Sequence, residues 1–431
     1  MFGVKGVAAA VRLPDNTIWR GAAGTSTLTP FVPLRPNMLF GVASVTKTFT
    51  AALTMRLVDR GFITLNDPIG RHLPAIARIP TINQAITIRQ LLSHTSGLAE
   101  YTTSRNFVAQ PSHQFTDIEI LNLIGPPVST PGTTYRYNNT GYFLLGLILQ
   151  VKYFLPLAPT LTQNVWRAFG MDSTFMGYAQ FIPPTIEQAN AWTNNTPPMV
   201  NMTLSPRTAL FSGFNSAGGS LSTVGDLARW GRVLVRGPML SAASRQAMQT
   251  VTPLSVAAGT PYGLGCTPFP LGTNRTGWGH MGSIPGCLAV FCYEPVCDVS
   301  IAILFNDDSW GAIRPLIQQR IYTLLNRALC SNLTGVAEAV ERATPPTFAP
   351  NPATGTTHLD FECPAGTRAL QLALLDATGR AVRTTALDPA LPSHEVPLAG
   401  LAPGVYQARL QLTATTTAAA ATAITRLVIV P

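Results

Sequence analysis

The sequence predicts an α/β (α+β) protein of two domains, and three observations lead there. Its 431 residues exceed the roughly 250–300 at which a single hydrophobic core stops growing. Strand-like sequence opens the chain in GVAAAVRL and TIWRGAAG and returns in CLAVFCY and CDVSIAILF, with helical sequence between, so a sheet is made by two distant pieces of chain around an inserted helical region. Near residue 344 the Pro-rich TPPTFAPNPATG marks a linker over 344–350, the composition of an extended spacer. The domains are therefore expected over 1–343 and 351–431.

Taken in order, MFGVKGVAAAV carries an apolar run too short for a leader and continues into RLPDNTIWRGAAG, which reads as strand, turn, strand. From Ser44 to about Arg236 helical spacing recurs, as in VTKTFTAALTMRLVDRG, with Gly61 placed to close that helix. The stretch CLAVFCYEPVCDVSIAILFN reads as two strands about a Glu294–Pro295 turn. That turn sets Cys292 opposite Cys297, for a cross-strand disulfide or, as the alternative, buried free thiols. In VYQARLQL, Tyr406, Ala408, Leu410 and Leu412 alternate with polar residues, the period of a strand with one buried face.

Bulk properties exclude several functions. Hydrophobic residues make up 46% and charged residues 11%, the composition of a folded domain rather than a disordered one. Net charge is +9, but single arginines carry it, with no stripe to track a phosphate backbone, so nucleic acid is not an expected partner. The tail from Asn351 balances five Arg with five Asp plus Glu, which leaves the first domain basic and mildly drawn to anionic surfaces. Of Cys266, Cys287, Cys292, Cys297, Cys330 and Cys363 only the run 287–297 is close in sequence, and no second close pair of Cys or His completes a tetrahedral site, so no metal and no cofactor is expected. No apolar stretch reaches the roughly 18–20 residues of a membrane span. No G-x-S-x-G, H-E-x-x-H or glycine-rich phosphate loop occurs.

The chemistry starts at GVASVTKTFTA. Lysine occurs only at Lys5, Lys47 and Lys152, and Lys47 follows Ser44 by three residues, which on a helix brings both side chains to one face. A neutral amine there accepts the hydroxyl proton as serine attacks a carbonyl. Lowering its pKa from about 10.4 to about 7.5 corresponds to roughly 4 kcal/mol. Two further clusters join it: YRYNNTGY, with Tyr137 and Asn139 at the mouth of a helix, and GWGHMGSIPG, with His280 and Gly282 on an edge strand.

Ser-x-x-Lys, Tyr-x-Asn and His-x-Gly in that order resemble the three-motif signature of the serine beta-lactamase and penicillin-binding protein superfamily. The branch most similar is that of class C beta-lactamases, D-Ala-D-Ala carboxypeptidases and related esterases, because a tyrosine leads the second motif. LLSHTSGL (91–98), WRAFGMDST (166–174), AGGSLSTVGDLARW (217–230) and YGLG (262–265) extend the likeness over residues 4 to about 330. The resemblance implies an antiparallel sheet flanked by helices and a serine hydrolase working through an acyl-enzyme. Carried over by position, Ser44 is the nucleophile, Lys47 its proton acceptor, and Tyr137 the group that activates the hydroxyl and later the hydrolytic water. Asn139 holds the substrate amide, the backbone N–H groups of Ser44 and Ser283 form an oxyanion hole, and His280 with Gly282 lines the rim. His94, beside Ser93 and Ser96, is structural in that branch. Met281 stands where carboxylate-binding relatives have threonine. That favours an esterase, amidase or aminopeptidase over a carboxypeptidase or beta-lactamase. Relatives usually begin with a helix ahead of the first strand, and only MFGVK precedes it here, so a truncated start, lacking its signal peptide, is the expectation.

Residues 349–431 resemble the C-terminal sorting domain of the type IX secretion system of Bacteroidetes, carried by APNPATG, the LLDATGR stretch and LAPGVYQARL. The likeness implies a β-sandwich that engages the secretion machinery and leaves the protein secreted or attached to the outer-membrane surface. The structural alternative is an Ig-like accessory module. The expected substrate is a small molecule or peptide, a peptidoglycan-derived peptide among them. The reading from another functional class is a non-catalytic surface binding protein on the same fold.

Overall fold

In a computed structural model the chain separates into two compact units, residues 1–325 and 326–431. The described residues run over 5–308 and 347–430, apart from breaks at 28, 194–199, 205, 272–274, 362–366, 377–379, 389–390, 392 and 415–419.

The first unit is built on a seven-stranded antiparallel sheet. Its strands are β1 (Gly6–Arg12), β2 (Ile18–Thr27), β3 (Val32–Pro33), β4 (Thr267–Pro270), β5 (Thr276–Ile284), β6 (Cys287–Glu294) and β7 (Val299–Phe305). They lie in the order β3-β2-β1-β7-β6-β5-β4, so the first and last thirds of the domain meet where β1 pairs with β7, Val7 opposite Phe305. Residues 6–12, within the stretch that looks faintly like a leader, thus form a central strand. Every residue of β6 is buried, as befits a strand covered on both faces.

Four helices frame the site: α1 (Thr46–Asp59), α2 (Asn139–Tyr153), α3 (Arg207–Gly218) and α4 (Val224–Val235). Helix α4 lies across β1, β6 and β7. Helix α1 is buried on all sides from Thr46 to Met55. Its threonines are tolerated there because each hydroxyl is satisfied: Thr48 donates to Val45 O, Thr50 to Ser216 O and Thr54 to Thr50 O. The helix stops at Arg60, and Gly61 takes the left-handed conformation (φ 73°) that the following turn demands. No single helix among the described residues is long and apolar enough to cross a membrane.

The β6–β7 connection corrects the sequence reading. Glu294 pairs with Val299, so the turn holds four residues, not two, and Cys297 sits in it instead of facing Cys292, whose partner is Ile301. Asp298 takes φ 51° there and is pinned by Arg12 (3.2 Å), Arg232 (3.0 Å) and the Tyr293 hydroxyl (3.0 Å). Cys292 is a free buried thiol, as are Cys266 and Cys287. Cys297 is disulfide-bonded, and not to Cys292.

The second unit holds a three-stranded and a four-stranded antiparallel sheet. The first contains β8 (Thr347–Ala349), β9 (Thr356–Asp360) and β12 (Ser393–Pro397); the second contains β10 (Thr367–Leu375), β11 (Ala381–Ala386), β13 (Gly404–Ala414) and β14 (Ala420–Ile429). Phe348, Leu359 and Val396 from one sheet and Leu372, Tyr406, Leu410 and Leu427 from the other share one apolar cluster, the arrangement of a β-sandwich. Of the stretch read as linker, 347–349 is strand β8, and 344–346 lie outside the described residues.

Candidate active site

Ser44 lies in a one-turn 3-10 segment, Ala43–Val45, that runs directly into α1. Ala43 is held at φ 48°, a left-handed backbone that a residue with a Cβ adopts only under constraint. Around it pack Ala191, Phe211, Leu221, Ile284 and Cys287. Strand β5 passes directly over this turn. A Cβ on Gly282 would stand 2.4 Å from Val42 O and 2.8 Å from Ser44 N, so the edge strand and the serine approach to backbone contact only because residue 282 has no side chain. Strand β4 covers β5 only over Thr276–Gly279, which leaves the stretch from His280 onward to meet the serine turn.

Lys47 is fully buried. Its Nζ lies 3.1 Å from Ser44 Oγ, 2.7 Å from Asn139 Oδ1 and 2.8 Å from Ala217 O. Burial lowers its pKa from 10.5 to about 7, against the opposing pull of the Glu100 charge. Both carbonyl partners are acceptors only. When the amine is neutral they take its two N–H groups, and the lone pair is left for the serine hydroxyl.

Each partner has a structural cause. Asn138 caps α2, its Oδ1 accepting from Gly141 N at 2.9 Å, and so Asn139 opens the helix beside Lys47. Glu100 Oε2 accepts from Asn139 N at 2.5 Å, and Thr102 Oγ1 accepts from Asn139 Nδ2 at 3.3 Å, which turns the amide oxygen toward the amine. Ala217 O reaches Lys47 because α3 breaks at Asn215 (φ 41°, ψ −132°). Asn215 is held by its side-chain bonds to Asp117 (2.9 Å) and Ser216 N (2.7 Å).

The Tyr137 phenol faces the serine: desolvation pushes its pKa well above the usual tyrosine range, with the nearby Ser44 hydroxyl pulling the other way. Lys47 Nζ stands 4.8 Å from its ring centre. The phenol therefore stays protonated at neutral pH while the amine is half neutral, so of the two the amine is the base.

His280 departs from expectation. It is 3% exposed, buried where a rim residue would be open to solvent. Its Nδ1 faces Met281 O at 2.5 Å and its Nε2 faces the Tyr262 hydroxyl at 2.9 Å. The first contact needs the proton on Nδ1 and the second then has Tyr262 donating to Nε2. Burial, with the Lys47 charge adding to it, lowers its pKa to about 3, so the ring is neutral and both nitrogens are engaged. Ser283 is exposed one residue beyond Gly282. The structure thus gathers Ser44, Lys47, Tyr137, Asn139 and Gly282 at one place, with the His280 ring buried 6.4 Å from that of Tyr137. Glu100, Ala217 O and Tyr262 complete the arrangement; YGLG was the only sequence signal for Tyr262, and nothing singled out Glu100.

A serine beside a buried amine, with a tyrosine ring packed against that amine, defines a serine-hydrolase type of site on an α/β fold. The family model described as beta-lactamase matches residues 1–322, and the chain belongs to that family, whose members are serine hydrolases. A second model, the secretion system C-terminal sorting domain, matches residues 347–422; it is the type IX sorting domain. Penicillin-binding protein 4* of Bacillus subtilis is 26% identical over 263 residues, 58% of this chain and 56% of that protein. The chain thus spans about half the length of this curated relative. Among solved structures, a D-stereospecific amidohydrolase from Streptomyces is similar at 26% identity and TM-score 0.62, over 72% of this chain and 93% of that one. The D-amino acid amidase from Ochrobactrum anthropi SV3 is similar at 25% identity and TM-score 0.65, over 76% and 95%.

Proposed function

We propose that the first domain hydrolyses a small ester or amide through an acyl-enzyme on Ser44. One observation carries this: the two carbonyl acceptors around Lys47 direct its lone pair at Ser44 Oγ, 3.1 Å away. As Oγ attacks the substrate carbonyl its proton passes to Lys47. The tetrahedral oxyanion forms where β5 meets the serine turn, and the backbone N–H groups of Ser44 and Ser283 are its donors. On collapse the leaving group takes a proton that Tyr137 relays from Lys47, and water reverses the path.

The pocket favours substrates with no free carboxylate beside the scissile bond. His280 is neutral with both nitrogens engaged, and Met281 supplies no hydroxyl, so the His280–Met281 stretch offers no cation and no free donor side chain for an anion. D-amino acid amides, the class that one similar enzyme carries in its name, and simple esters fit this better than D-Ala-D-Ala peptides or beta-lactams. The sorting tail points to export and attachment at the cell surface, which would place the hydrolysis outside the cell.

The test is turnover of p-nitrophenyl esters, D-amino-acid amides, a D-Ala-D-Ala peptide and nitrocefin by the wild type and Ser44→Ala. The expected outcome is Ser44-dependent hydrolysis of the esters and amides, with little of the last two. Preference for the D-Ala-D-Ala peptide or nitrocefin would overturn the substrate class. A wild type inert toward the whole panel would favour a non-catalytic binding protein.

A further inference from the structure

Next to the site, His94 makes contacts that the mechanism above does not use. Its carbonyl accepts from Arg136 N at 2.8 Å and its Nδ1 accepts from Asn138 N at 3.2 Å, so the residues on both sides of Tyr137 are tied to one histidine. Its ring also lies 4.2 Å from the Tyr137 ring, tilted by 39°, with Tyr262 at 4.7 Å and Tyr142 at 5.1 Å. The residue is 1% exposed and held at φ 57°. Because Nδ1 accepts, the ring proton sits on Nε2, and that nitrogen has no hydrogen-bond partner among the described residues. A buried donor without a partner is a cost that a phenylalanine would avoid. Packing alone therefore does not account for a histidine here.

We propose that His94 is a positioning residue for Tyr137, clamping the backbone on either side of it and stacking under its ring so that the phenol stays on Ser44. The inference rests on the acyl-enzyme reading and adds a residue to it. Burial and the neighbouring Lys47 charge keep the ring neutral, as an acceptor at Nδ1 requires. The bond to the backbone of Asn138, the cap of α2, anchors the clamp on a helix start.

The experiment compares wild type, His94→Phe, His94→Asn, Tyr137→Phe and the two double variants with Tyr137→Phe. The readouts are the rate of Ser44 labelling by a fluorophosphonate, steady-state kcat and KM on a p-nitrophenyl ester, and the thermal unfolding midpoint. His94→Phe keeps the ring and loses the acceptor; His94→Asn keeps an acceptor, tolerates the left-handed backbone, and loses the stack. The expected result is a folded His94→Phe with labelling rate and kcat lowered roughly 10- to 100-fold and KM little changed. In the Tyr137→Phe background either His94 substitution then has almost no further effect, the non-additivity of residues acting through one group. Labelling at the wild-type rate, a change confined to KM, or fully additive losses would overturn the proposal. If His94→Phe does not fold, His94→Asn carries the same cycle. Absence of labelling in the wild type sinks the acyl-enzyme reading, and this inference with it; normal wild-type labelling with additive losses sinks this inference alone.

Discussion

Acylation of Ser44 follows the neutral fraction of Lys47, and pH is the simplest perturbation of it. Burial moves that amine from 10.5 to about 7, a displacement of about 5 kcal/mol against the charged form. With a midpoint near 7, about nine-tenths of the amine is neutral at pH 8 and about one-hundredth at pH 5. The second-order rate of fluorophosphonate labelling is therefore expected to fall about 90-fold between those two values, with a plateau above pH 8. An unperturbed lysine would instead give a rate climbing about tenfold per pH unit up to pH 9 and still rising beyond it. The Glu100 charge opposes the shift, so Glu100→Gln moves the midpoint to lower pH. A profile flat from pH 5 to 8, one still rising past pH 9, or an upward shift in Glu100→Gln would refute Lys47 as the base.

Three further outcomes follow from the geometry. Gly282→Ala forces a Cβ to within 2.4 Å of Val42 O. It lowers Ser44 labelling by roughly 100-fold and stability by about 1–3 kcal/mol; wild-type labelling in this variant would contradict the close approach of β5. Lys47→Met removes a group whose folded pKa lies below its unfolded value. Between pH 7 and 10 the unfolded amine keeps a proton that the folded one has lost, so wild type gains stability over the variant by up to about 1.4 kcal/mol per pH unit. Denaturant unfolding at pH 7, 8 and 9 reads this gain, and an equal or opposite slope would exclude the burial described. Alkylation of the unfolded, unreduced chain is expected to modify Cys266, Cys287 and Cys292 and to spare Cys297; modified Cys297 or protected Cys292 would contradict the cysteine states.

How much of this was legible in the sequence depended on the range of each interaction. Ser44 and Lys47 lie three apart at a helix start, so local geometry alone brings them together, and Tyr137 and Asn139 sit at a helix mouth that the sequence also marks. The sheet of two chain ends was legible because β1, β6 and β7 are strongly apolar. By contrast Ala217 O reaches Lys47 only through the break at Asn215, and Glu100 acts through Asn139, contacts that no periodicity encodes. His280 was placed on the correct strand, but its burial was not legible, because it is set by Tyr262, which comes from another segment. The Cys292–Cys297 pairing failed for a local reason: a turn two residues longer than Glu294–Pro295 suggests, stabilised by the ion pairs of Asp298, shifts the register.

The central claim is a covalent intermediate on one serine. Intact-mass analysis after exposure to a fluorophosphonate, followed by peptide mapping, tests it most directly. A single adduct on the peptide containing Ser44, absent from Ser44→Ala and strongly reduced in Lys47→Met, is the predicted result. An adduct on Ser93 or Ser96, or none on a folded wild type, would contradict it.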